Sequence, residues 1–119
     1  MNALYDQIQV YLNMDEEISF EEFQDYYKKV MKKLEENANQ LSEDGVWKAL
    51  FVTETLMSNA EHREHTAKKK AEAKKFHKMK HRTQLYAEHF TKRLNELGYN
   101  EEDIGRVFEE MLEEGSHSD

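Results

Sequence analysis

Apolar residues recur every three or four positions along most of this chain, and no segment alternates apolar and polar side chains as a half-buried strand does. Proline, which interrupts helices, is absent, and glycine occurs at only 4 positions. The sequence therefore predicts an all-α fold. The clearest apolar stripe runs through the segment 20–41 and consists of Phe20, Phe23, Tyr27, Val30, Leu34 and Leu41.

Capping residues indicate where the first helices begin. A short helix is expected over Asn2–Asn13, where apolar residues lie on one stripe. Ser19, followed three residues later by Glu22, is a capping box that starts a second helix, which the apolar stripe extends to residue 41. Ser42 or Asp44 can cap the third helix.

The C-terminal part of the chain carries similar signals. Gly98 fits the left-handed position that ends a helix, and Asn100 with the acids after it starts the last helix. Gly115 is expected to stop that helix. With 119 residues there is room for one core, so we expect a single helical domain over 1–115 and a frayed tail over 116–119.

The segment 46–97 contains no helix breaker and is read as one long central helix, either continuous or broken. A continuous helix of this length would span roughly 78 Å, which favours a break. Between 58 and 75 no apolar side chain is larger than alanine, and we expect the break near Ser58-Asn59. Trp47–Met57, apolar on most sides, is expected to be the least exposed segment. The prediction is a small bundle of about four helices.

Several classes of protein are excluded by composition. Cysteine is absent, so there is no disulfide, thiolate nucleophile or cysteine-ligated metal. The glycines are not clustered as phosphate-binding loops require, and no Ser/His/Asp set can be nominated, so we expect neither a cofactor nor an enzyme. No apolar run is long enough to span a membrane, and no apolar leader is visible, so a cytoplasmic location is expected.

One basic block interrupts an otherwise acidic chain. The formal net charge is −8, yet residues 68–82 carry eight lysines and arginines and a single acid. Such asymmetry is typical of contact with an acidic protein surface or a nucleic acid, and it is also found on solvated or internally paired helix faces. Few side chains that read base edges are present, which argues against sequence-specific recognition. The residues expected to form a partner-binding surface are Lys69, Lys70, Lys74, Lys75, Lys78 and Arg82.

Histidine is concentrated in the same half of the chain. His62 and His65 are three residues apart, and His77 and His81 are four apart, so each pair can share one helix face. Neither pair has an obvious third ligand, and the second lies among lysines that repel a cation. No metal site is therefore predicted, although the sequence leaves metal binding by these pairs open.

Arg82 and His89 are separated by six residues on one predicted helix. This arginine and histidine, four to six residues apart in the pattern Arg-x4–6-His, are similar to those of the HEPN ribonuclease domain, a small all-α fold in which the pair acts on RNA across a dimer interface. The resemblance covers residues 82–89. It implies RNA cleavage as a remote alternative function, with Arg82 and His89 as its residues.

These observations favour a non-enzymatic cytoplasmic protein that binds another protein as an adaptor, regulator or inhibitor. Self-association is also expected, because the aromatic and methionine side chains form more apolar surface than a thin bundle hides easily. One alternative is nucleic-acid association through the basic helix 68–82. Another is an acidic protein that mimics nucleic acid and inhibits a nucleic-acid enzyme.

Overall fold

A computed structural model describes residues 1–116 and shows an all-α fold, as predicted. The described part holds five α-helices, where about four were expected, and no strand. The helices are α1 (Asn2–Leu12), α2 (Phe20–Asn37), α3 (Glu43–Thr66), α4 (Lys70–Glu96) and α5 (Glu101–Ser116), with a 3₁₀ turn at Ala38–Gln40 after α2. None of these helices combines the length and the apolarity that crossing a membrane requires.

The predicted helix ends are largely confirmed by their hydrogen bonds. Ser19 accepts from the backbone N–H of Glu22 at 3.1 Å, and Ser42 accepts from that of Gly45 at 3.2 Å. Asn100 caps α5 by accepting from the backbone N–H of Asp103 at 2.9 Å. Gly98, with a φ of 105°, ends α4 in the left-handed conformation that glycine adopts without strain.

The long central segment is broken into α3 and α4, which pack as an antiparallel hairpin. The break lies at 67–69, so its predicted position near Ser58-Asn59 is wrong. The helix continues past Ser58 because Ala60 is still buried in the core and Arg63 Nη2 donates to the Ile18 carbonyl at 2.7 Å. Between Ala60 and Phe76 no side chain is buried, so the chain reverses there without loss of core contacts.

The core lies around the first half of α3. No residue of the segment Trp47–Met57 is exposed and most are buried, as predicted. Thr53 and Thr83 are buried, and their hydroxyls donate to the carbonyls four residues earlier. The most completely buried side chains are Tyr26, Val30, Leu34, Val46, Leu50, Phe51, Val52, Thr53, Leu56, Thr83, Phe90 and Leu94.

Two arginines of the hairpin hold the two ends of α2. Arg63 bonds the Ile18 carbonyl before the helix, as described above. After it, Arg93 donates from Nη1 to the Ala38 carbonyl at 3.0 Å and from Nη2 to the Leu41 carbonyl at 3.1 Å. This second contact fixes the 3₁₀ turn, and α2 therefore ends at Asn37 instead of continuing to Leu41.

A glutamine joins α1 to α5. Gln9 Nε2 donates to Tyr5 Oη at 2.9 Å and to the Met111 carbonyl at 2.8 Å. Gly115 lies against this side chain, and a Cβ there would overlap Gln9 Oε1. The prediction that Gly115 stops α5 is wrong, because the helix includes it and reaches Ser116; the remainder of the predicted tail lies outside the described residues.

Two glycine substitutions on α5 should have opposite effects. In Gly105→Ala the new Cβ meets nothing within 4 Å, so the better helix propensity should raise the free energy of unfolding by about 0.5–1 kcal/mol. Gly115→Ala must displace Gln9 and break its bonds, and a net loss of about 1 kcal/mol is expected. Urea denaturation measures both. A gain in stability for Gly115→Ala would contradict the close α1–α5 contact.

Candidate functional site

A groove runs between α2 and α4 and is lined by side chains of both helices. It consists of two adjoining cavities of about 390 Å³ and about 610 Å³. The residues that line both cavities are Met31 and Glu35 on α2 and Arg82 on α4. We call the first cavity the cationic half of the groove and the second the apolar half.

The cationic half is lined by five bases and one acid. Lys28 and Lys32 lie one turn apart on α2, and Lys75, Lys78 and Arg82 follow one another along α4. Within residues 1–116, none of the five has a carboxylate oxygen within 4 Å. By contrast, Lys80 on another face of α4 lies 3.1 Å from a Glu64 oxygen. The groove therefore concentrates unpaired positive charge in a protein of net charge −8.

The apolar half is lined by five apolar side chains and by the polar side chains of Glu35, Asn39, Arg82 and His89. Leu85 is 55 % exposed, although it is a large hydrophobic side chain. A large exposed leucine at the edge of a concave surface is typical of a site that another molecule covers. The apolar lining residues are Met31, Leu34, Ala38, Leu85 and Tyr86.

Tyr27 lines the cationic half and is only 6 % exposed. Its hydroxyl is buried and interacts with the Arg82 guanidinium, which is a donor, but it has no acceptor for its own proton among residues 1–116. Burial raises the pKa of the phenol above its ordinary value, and the nearby Arg82 guanidinium lowers this pKa by a smaller amount. The phenol is therefore protonated at neutral pH and has a proton to donate. Arg82 cannot receive that proton, because a guanidinium is only a donor.

The predicted partner-binding residues are all exposed, but the structure divides them between two places. Lys75, Lys78 and Arg82 line the groove. Lys69 caps α4 and lines a separate cavity beside Phe20, whereas Lys70 and Lys74 are exposed and do not line the groove.

The groove residues on α2 were not predicted as part of the site. Lys28 and Lys32 are spaced four apart beside Tyr27 and Met31, which is the signal that could have suggested a cationic face. Sequence alone does not show which face of α2 lies beside α4, because that depends on how the arginines of the hairpin hold the helix.

The histidine pairs do not come together as a metal site. His77 Nδ1 lies 3.0 Å from a Glu64 oxygen, and His62 Nε2 lies 3.6 Å from a Glu17 oxygen. Hydrogen bonding to Lys80, and then to His77, lowers the pKa of Glu64. In the part of the chain that the structure describes, no three His, Asp or Glu side chains could hold one metal ion.

Arg82 and His89, the pair with the HEPN-like spacing, both line the apolar half of the groove. Arg82 is exposed, whereas Nε2 of His89 is buried and makes no hydrogen bond within residues 1–116. The His89 ring contacts Phe90, with centroids 5.3 Å apart.

Comparisons with protein-family models, with curated proteins and with solved structures find no match to this chain. The site must therefore be interpreted from its own chemistry.

Two neighbouring tyrosines should respond differently to loss of the hydroxyl. Tyr26 Oη donates to the Leu4 carbonyl at 2.6 Å, so Tyr26→Phe should lower the free energy of unfolding by about 1 kcal/mol. Tyr27 makes no such bond, and Tyr27→Phe should leave this energy unchanged or raise it by up to about 1 kcal/mol. Urea denaturation of both variants checks this. An equal decrease in the free energy of unfolding of both variants would show that the Tyr27 hydroxyl stabilises the fold.

Proposed function

We propose that this chain is a non-enzymatic adaptor, regulator or inhibitor that binds an acidic, amphipathic segment of another protein in the groove between α2 and α4. The observation that carries the proposal is the set of unpaired bases along the groove in an otherwise acidic protein. Lys48 and Lys80, which lie outside the groove, each have a carboxylate partner. Acidic side chains on a partner would supply the carboxylates that the bases of the groove lack.

The apolar half supports a protein segment as the occupant. A helix or extended peptide can place leucine-like side chains against Met31 and Leu85 and acidic side chains beside Lys78 and Arg82. This division of apolar and charged contacts matches an amphipathic segment. A nucleic-acid backbone has no leucine-like side chains for the apolar half.

The surrounding charge also disfavours nucleic acid. The first turn of α2 carries Glu21 and Glu22, and the first turn of α5 carries three acids. A long polyanion is repelled by such regions, whereas a short acidic segment needs to contact only the groove.

Self-association belongs to the same proposal. Leu12 and Met14 are exposed large hydrophobic side chains that line one cavity at the end of α1, away from the groove. A second copy could cover them and leave the groove free. Sedimentation equilibrium of the full chain, compared with Leu12→Ser/Met14→Ser, checks this, since only the parent chain should form dimers.

Selection of peptides from a displayed random library tests the groove directly. Peptides that bind the full chain at about 150 mM salt, where the screening length is about 8 Å, should be acidic and should contain leucine-like residues. Removing three groove charges, in Lys75→Gln/Lys78→Gln/Arg82→Gln, should weaken their binding by about tenfold or more, or about 1.4 kcal/mol.

The matched control removes three charges of the same basic block outside the groove, in Lys69→Gln/Lys70→Gln/Lys74→Gln, and should change affinity by less than about twofold. Selected peptides that lack acids, or equal effects of the two triple variants, would contradict the proposal. Tighter groove-dependent binding of single-stranded RNA or duplex DNA at the same salt would replace it with the nucleic-acid alternative.

A further inference from the structure

The buried phenol of Tyr27 sets the cationic half apart from an ordinary lysine-rich surface. Its side chain is 6 % exposed and lines the cavity, and its hydroxyl interacts with the Arg82 guanidinium but has no acceptor among residues 1–116. Burying a hydroxyl without a partner is unfavourable, and such groups usually have a partner in folded proteins. The groups around it on α4, Arg82 and Lys78, are donors as well.

The donors in this half far outnumber the acceptors. The phenol, the guanidinium and four ammonium groups face one carboxylate, that of Glu35. Glu35 is exposed, and its oxygens lie more than 4 Å from each of the five bases. A ligand that completes this site must bring several acceptor oxygens and more than one negative charge.

We infer that Tyr27 and Arg82 form a subsite for a phosphoryl group carried by the bound protein segment, with Lys75 and Lys78 completing its contacts. A phosphoserine or phosphothreonine has a charge of about −1.5 to −2 near neutral pH and three acceptor oxygens. One oxygen can accept from the phenol, and the planar guanidinium can donate two parallel hydrogen bonds. A carboxylate has only two oxygens and a single charge, and leaves more of these donors unsatisfied.

This inference rests on the proposed function and makes it more specific. The groove as a whole would select an acidic amphipathic segment, and the subsite would make binding depend on phosphorylation of that segment. Binding would then be switched on by a kinase and off by a phosphatase, and the protein would act as a reader of that modification.

The experiment uses one short synthetic amphipathic peptide, glutamate-rich on one face and leucine-rich on the other, in three forms. Its central residue is serine, glutamate or phosphoserine. Affinity for the full chain is measured by titration calorimetry. The phosphoserine form should bind about tenfold more tightly than the glutamate form, which corresponds to about 1.4 kcal/mol.

Tyr27→Phe should remove most of this preference by weakening the phosphoserine form, while the glutamate form changes by less than about twofold. Arg82→Lys should weaken the phosphoserine form as well, because lysine lacks the planar fork. The control, Lys70→Gln, lies outside the groove and should leave the preference intact. Circular dichroism verifies that each variant is folded.

The inference is overturned if the glutamate and phosphoserine forms bind within about twofold of each other, or if Tyr27→Phe leaves the preference unchanged. If Lys75→Gln/Lys78→Gln/Arg82→Gln then binds neither the glutamate peptide nor the phosphoserine peptide, the result still supports the proposed function. Absence of binding by the phosphoserine form also overturns the inference, and the library selection decides the proposed function separately.

Discussion

The antiparallel contact of α3 with α4 is the interaction on which the other helices depend. Each of the two helices buries a threonine, Thr53 or Thr83, whose hydroxyl donates to a carbonyl of its own helix. From this hairpin, Arg63 and Arg93 reach the carbonyls before and after α2. Because these contacts fix both ends of α2, they also fix the width of the groove beside α4.

The groove brings together bases whose charge no nearby carboxylate offsets. On another face of α4, Lys80 and His77 lie near Glu64. In the groove, five bases have no carboxylate within 4 Å among residues 1–116, and a buried phenol has no acceptor. Such an arrangement costs folding free energy. A bound acidic segment would offset this cost, which is why we assign the groove to partner binding.

Local signals predicted the helices well, but not how they are arranged. Ser19, Ser42, Asn100 and Gly98 act through neighbouring backbone groups, so their effects are visible in sequence. The break after Thr66 depends on where burial in the core ends, and the end of α2 at Asn37 depends on contacts made by the distant Arg93, so both were misplaced. The basic block was predicted as one surface. The rotation of α4 about its axis decides which bases of this block line the groove and which face solvent. The rotation of α2 likewise decides that Lys28 and Lys32 line the groove.

The most direct test of the groove as the binding site is NMR of the full chain labelled at its methionine methyl groups. Met31 and Met79 line the groove, whereas Met14 and Met57 line other cavities and serve as internal references. On titration with an acidic amphipathic peptide that binds the chain, the account predicts saturable shifts of the Met31 and Met79 signals and little change at Met14 and Met57. Shifts centred on Met14 or Met57, with Met31 and Met79 unmoved, would contradict it.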